Sequence, residues 1–87
     1  MKVILGDQIY SVYWKYLSSK RIRCTIEGAN RFILGDGDSM CIGKDQFNKN
    51  TGRKISMRKA LKAVFPYSDH IRRKFWESYL EMRHGKW

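Results

Sequence analysis

The stretch KRIRCTIEGANRFILGDGDSMCI, residues 20–42, decides the fold class. From Lys20 to Glu27 the apolar residues Ile22, Cys24 and Ile26 alternate with Arg21, Arg23, Thr25 and Glu27. A period of two belongs to a strand with one face in a core. Two turn signals follow, Gly28-Ala29-Asn30 and Gly35-Asp36-Gly37-Asp38, so Arg31–Leu34 and Ser39–Ile42 read as two further short strands of an antiparallel meander. Its apolar face carries Ile22, Cys24 and Ile26, then either Phe32 and Leu34 or Ile33, then Cys41 or its neighbours Met40 and Ile42. The pattern leaves the register of the two short strands open.

Towards the N-terminus, a short apolar run at Met1–Leu5 stops at Gly6-Asp7. Beyond it Ile9, Tyr10, Tyr13, Trp14 and Leu17 recur at helical spacing, with Gln8, Ser11, Lys15 and Ser18 on the opposite side. That spacing favours an amphipathic helix over residues 8–18. A hairpin is the alternative, because Gly-Asp suits a two-residue turn and Ile, Tyr, Val and Trp favour strands.

Towards the C-terminus, the polar loop GKDQFNKNT (residues 43–51) leads through Gly52 into a helix. Met57, Ala60, Leu61, Val64 and Phe65 gather on one side of it and Arg58, Lys59 and Lys62 on the other. Pro66 ends this helix, and Ser68 or Asp69 can cap the next, whose core stripe is Ile71, Phe75, Tyr79 and Met82. Arg73 and Glu77 stand at ion-pair spacing, while Trp76 and Leu80 lie together on a neighbouring flank. The expected architecture is α+β: one small domain, 1–87, with an N-terminal helix or hairpin, a three-stranded antiparallel meander and two C-terminal helices.

Composition bounds what such a domain can do. The chain has 87 residues, enough for one modest core, and its 18 Lys+Arg against 8 Asp+Glu give a formal charge of +10. Residues 1–43 hold six basic and four acidic side chains, and residues 44–87 hold twelve and four. A positive excess gathered in one half attracts phosphate-bearing partners rather than serving solubility alone. No apolar run is long enough for a membrane span, no cleavable leader is evident, and two cysteines are too few for a secreted disulfide framework. A soluble, unprocessed protein of a reducing cytoplasm is therefore expected.

The densest chemistry lies in CIGKDQFNKNTGRKISMRKALK, residues 41–62. A basic, glycine-bearing loop feeding a helix offers backbone N–H groups and the positive end of the helix dipole to an anion. Lys44, Lys49, Arg53, Lys54 and Arg58 are the candidate phosphate ligands, with Lys59 and Lys62 continuing the basic face. The spacing is not that of a P-loop, so no nucleotide triphosphatase is inferred from it. Asp45 and Phe47 read as architectural, the carboxylate holding the turn and pairing with Arg53, the ring anchoring the loop on the core.

Cys41, Asp45, Phe47, Gly52-Arg53 and Ala60-Leu61-Lys62, with the later Trp76 and Tyr79, resemble a pattern in small uncharacterised accessory proteins encoded by bacteriophages. The likeness covers about the last half of the chain. It implies a setting, a host bacterial cytoplasm, and a class of action, blocking host defence components or sequestering their nucleotide signals. It implies no particular activity.

Other constellations are weaker. Cys24, Cys41, His70 and His84 lack the close pairing of a zinc site, and Gly35-Asp36-Gly37-Asp38 lacks the remaining ligands of a calcium loop. No nucleophile and base are assembled, so no enzyme and no cofactor are expected. Aromatic side chains exceed what one small core must bury, and Trp76, Trp87 and Leu80 are candidates for base stacking or a subunit interface. The expected function is non-enzymatic binding of a phosphate-bearing anion, either a nucleotide signal held in an oligomer or nucleic acid bound without sequence preference. The alternative is a protein–protein inhibitor of a host defence or nucleic-acid-processing complex.

Overall fold

The computed structural model describes residues 1–40 and 48–83. Four strands, β1 (Lys2–Leu5), β2 (Gln8–Ser18), β3 (Arg21–Glu27) and β4 (Ile33–Met40), form one antiparallel sheet in the order β1-β2-β3-β4. Two helices follow, α1 (Lys49–Val64) and α2 (Asp69–Arg83). The chain is thus a small α+β domain with two C-terminal helices.

The hairpin, not the helix, holds residues 8–18. Leu5 pairs with Gln8 across Gly6-Asp7, and Gly6 has φ +60° while Asp7 does not adopt a positive φ. Glycine at the first central position is the requirement of a type II′ hairpin turn. Within β2 a period of two puts Val12 at 0% exposure between half-buried Tyr10 and Trp14, and leaves Ile9 at 55% and Tyr13 at 42% on the other face. The apparent helical stripe was spread over both faces of a strand. Apolar residues at nearly every position satisfied either period, and the β-branched and aromatic composition with two flanking partners decided between them.

Gly35-Asp36-Gly37-Asp38, expected as a turn, forms none. These residues lie inside β4, so the two short strands expected at Arg31–Leu34 and Ser39–Ile42 are one strand over Ile33–Met40. Asp36 and Asp38 register with Thr25 and Arg23 on one face, and Gly35 and Gly37 with Ile26 and Cys24 on the other. The glycines are there because α1 lies on them. A Cβ on Gly37 would stand 2.4 Å from the Ala60 nitrogen and 2.5 Å from the Ser56 carbonyl oxygen, and one on Gly35 would stand 2.7 Å from Val64 Cγ2. Consequently β4 contributes backbone and Ser39 to the core, while Phe32, Ile33, Leu34 and Met40 are all exposed.

The core sits between the sheet and the helices. Val3, Val12, Cys24 and Ile26 meet Met57, Ala60 and Leu61 of α1 and Phe75 and Tyr79 of α2. α1 packs over β3 and β4, whereas the aromatics Tyr10, Phe65 and Phe75 meet with ring centroids 5.4 to 5.6 Å apart beside β2. α1 closes at Phe65, whose N–H donates to the Leu61 carbonyl at 2.7 Å, just before Pro66 forbids a further turn. In α2 the stripe is as expected, with Phe75 and Tyr79 buried and Ile71 and Met82 half-buried. On this helix Glu77 pairs with Lys74 rather than Arg73, at 3.7 Å. The guanidinium of Arg72 bridges the helix junction, donating to the Phe65 carbonyl at 2.6 Å and to the Asp69 carboxylate. No helix among the described residues is long and apolar enough to cross a membrane.

Candidate anion-binding face

α1 begins three residues before Gly52, at Lys49, because Asn48 caps it. The Asn48 side-chain oxygen accepts from the N–H groups of Asn50 at 2.9 Å and Thr51 at 3.2 Å, and its carbonyl accepts from Gly52 at 2.9 Å. The donors of the first turn that would have cradled a phosphate are therefore mostly satisfied within the chain. Gly52 is buried inside the helix rather than at its entrance. What remains for an anion is the side-chain face.

That face is uniformly basic. The sixteen residues of α1 include Lys49, Arg53, Lys54, Arg58, Lys59 and Lys62 and no carboxylate. Among the described residues none of the six forms an ion pair; the pairs present involve Arg21, Arg23, Arg72 and Lys74. Lys54, Arg58 and Lys62 are exposed and follow one another at four-residue intervals, a row that starts at Lys54 on the flank of buried Met57 and Leu61 and winds outward through Arg58 to Lys62. A rise of 1.5 Å per residue spaces their Cα atoms about 6 Å apart along a ridge of roughly 12 Å. Lys59 is exposed on the flank next to β4, its Cβ lying towards Gly37. Such a row of exposed cations can form ionic contacts with a group of opposite charge.

Arg53 and Lys49 have a different setting. Arg53 is half-buried, and its Nη1 donates to the Tyr16 hydroxyl at 2.8 Å. Its carbonyl accepts from Trp14 Nε1 at 3.2 Å and from the Ser56 hydroxyl at 3.0 Å. Partial burial opposes its charge, but the phenol oxygens of Tyr79 and Tyr16 outweigh that and hold its pKa above the ordinary arginine value. Lys49 places its ammonium 5.4 Å from the centroid of the Tyr16 ring, within cation–π range. Tyr79 donates to the Asn50 side-chain oxygen at 2.7 Å, so the start of α1 is fastened to both β2 and α2. Arg53 therefore anchors the ridge.

The other expected participants fall as follows. Trp76 is half-buried, edge-on to Tyr79 with centroids 5.9 Å apart, and Leu80 beside it is exposed. Lys44, Asp45, Phe47 and Trp87 lie outside the described residues, as do Cys41 and His84. Cys24 is buried beneath the helices, its thiol pushed up to about 12 by desolvation, and His70 is exposed on α2. Among the described residues no three His, Cys, Asp or Glu side chains gather as a metal site. Sequence reasoning missed the Tyr16–Arg53–Tyr79 cluster because it joins three elements, one of them read as a helix. Comparison with known protein families, characterised proteins and solved structures finds no match to this chain.

Proposed function

We propose that the protein is a non-enzymatic binder of nucleic acid, in a bacteriophage accessory setting, and that it grips the phosphate backbone along the α1 ridge without reading sequence. The observation that carries this reading is the composition of α1: six cations, no carboxylate, and a buried face that leaves Lys54, Arg58 and Lys62 in one exposed row. Stability alone would not select such a helix. Like charges at four-residue spacing cost about 0.2–0.5 kcal/mol each, and cations in the first turn oppose the dipole. Local rules broken without structural compensation mark functional surfaces. The ridge is open rather than enclosed, which favours a polymer over a small nucleotide signal.

Fluorescence anisotropy with arbitrary single- and double-stranded oligonucleotides tests it. Binding should be insensitive to sequence, grow with length and weaken steeply between 50 and 200 mM salt. Tight, saturable binding of a mononucleotide or cyclic dinucleotide, with no length dependence for oligomers, would refute it in favour of sequestration. Failure of every oligonucleotide, with a host protein recovered instead, would favour the inhibitor reading.

A further inference from the structure

Both helices cover the same face of the sheet, and among the described residues no layer covers the other face. On that face the backbone register aligns Ile4 with Ile9, and Tyr13 with Thr25 and Asp36. Ile4 is 70% exposed, and Ile33 at the β4 edge 58%. Beside them a depression of about 460 Å³ opens between the β1–β2 hairpin and the turn after β3, lined by Lys2, Ile9, Ser11, Glu27 and Asn30 among others.

The polar groups on this face are largely matched already. Asp38 accepts from Arg21 at 2.6 Å and from Arg23 at 2.8 Å, and Glu27 accepts from the Tyr13 hydroxyl at 2.8 Å. Groups bonded within the chain lose less when water is removed than lone charges do. Counted by register, the face holds Lys2, Lys15, Arg21 and Arg23 against Glu27, Asp36 and Asp38, so it is close to neutral, while α1 bears six cations that form no ion pair among the described residues. A polyanion gains most on α1. A second copy of a +10 chain, by contrast, is repelled everywhere except where both signs are present. Lys2 and Lys15 lie towards β1 and β2, and Asp36 towards β4, so an isologous contact can set the cations of one copy against the carboxylates of the other.

We propose that the open sheet face is the interface of a two-fold homodimer, two sheets stacked about 10 Å apart with their helices outermost. The arrangement turns the two α1 ridges away from each other. It does not depend on the nucleic-acid reading, and the salt response separates the two. An interface built on apolar contact between like-charged chains is preserved or strengthened as salt screens the net charge, whereas backbone binding collapses.

Sedimentation equilibrium at about 100 µM protein, at low and high salt, reads the state directly. The expected mass is twice the 10.4 kDa of the single chain, undiminished at high salt. Ile9→Asp and Tyr13→Arg, both at exposed positions and checked for an unchanged circular dichroism spectrum, should each return the single-chain mass, while Lys54→Glu should keep the dimer and weaken oligonucleotide binding. A wild-type chain that stays at 10.4 kDa overturns the proposal whether or not it binds oligonucleotides. A dimer untouched by both folded sheet variants overturns it too, because the contact must then lie elsewhere.

Discussion

Gly37→Ala tests the placement of α1 more sharply than any core deletion. The added methyl carbon would meet the Ala60 nitrogen at 2.4 Å, the Ser56 carbonyl oxygen at 2.5 Å and Lys59 Cβ at 2.7 Å. Two of these are backbone atoms that no rotamer change can move. Ordinary contact begins near 3.4 Å, so the helix must retreat by about 1 Å. Met57 and Leu61, which share one buried cluster with Cys24 and Ile26, would retreat with it. A gap of 0.5–1 Å forfeits about a quarter to a half of each contact's attraction. Overpacking typically costs about 1–3 kcal/mol, and a backbone-limited site belongs at the upper end, about 3 kcal/mol. An 87-residue domain has roughly 4–13 kcal/mol in all, and each lost kcal/mol lowers Tm by about 4–8 °C at this size. Urea and thermal unfolding of Gly37→Ala should therefore show a Tm lower by at least about 12 °C. Gly35→Ala should cost less, because the atom it meets at 2.7 Å is a Val64 methyl that can turn aside. A Gly37→Ala variant within about 0.5 kcal/mol of wild type, or less perturbed than Gly35→Ala, would refute the packing of α1 on β4.

Further outcomes follow from single groups. Cys24, with its thiol near 12, should resist alkylation at pH 8 in the folded protein and react once it is unfolded, read by peptide mass mapping; rapid native labelling would contradict its burial. Asp38 is held at about 2, below its ordinary 3.8, by the hydrogen bond from Arg23, which with help from Arg21 overcomes the desolvation that pushes the other way. Its folded value is depressed, so its contribution is present above about pH 4 and is lost as pH falls towards 2. Being close to solvent, it should contribute about 1 kcal/mol or less, and Asp38→Asn should flatten that limb of the stability profile in urea titrations. Tyr79→Phe removes the bond to Asn50 and should cost about 1 kcal/mol without altering the fold, measured by the same unfolding curves; no change would place that hydroxyl in water.

How much of this was legible beforehand depended on whether a local signal had one physical cause or two. The alternation in Lys20–Glu27 had one, and Ile22, Cys24 and Ile26 are all buried in β3. The stripes of the two C-terminal helices were equally plain, down to buried Met57, Leu61, Phe75 and Tyr79. Residues 8–18 had two, since apolar side chains on both faces of β2 mimic a helical stripe when the second face is left open. Gly35-Asp36-Gly37-Asp38 also had two, because the residue that permits a turn is the residue that lets a helix axis approach a strand. Only the register with Cys24 and Ile26 distinguishes them. For the candidate site, Arg58, Lys59 and Lys62 were readable from their spacing against Met57 and Leu61, and all three are exposed. The anchoring of Arg53 by Tyr16, thirty-seven residues away, was not. Nor was the capping by Asn48, whose side chain takes the N–H groups that a loop-borne phosphate would have used.

The proposed placement of nucleic acid along the α1 ridge is read from the salt dependence of binding. For duplex DNA the slope of log K against log salt is about −0.9 per phosphate contacted, and for a single strand about −0.7. Lys54→Ala, Arg58→Ala and Lys62→Ala should each make the duplex slope shallower by about 0.9, and the triple variant by about 2.7, with the urea midpoint unchanged or raised because the like-charge repulsion is relieved. A triple variant that is folded and binds with the wild-type slope would contradict the account.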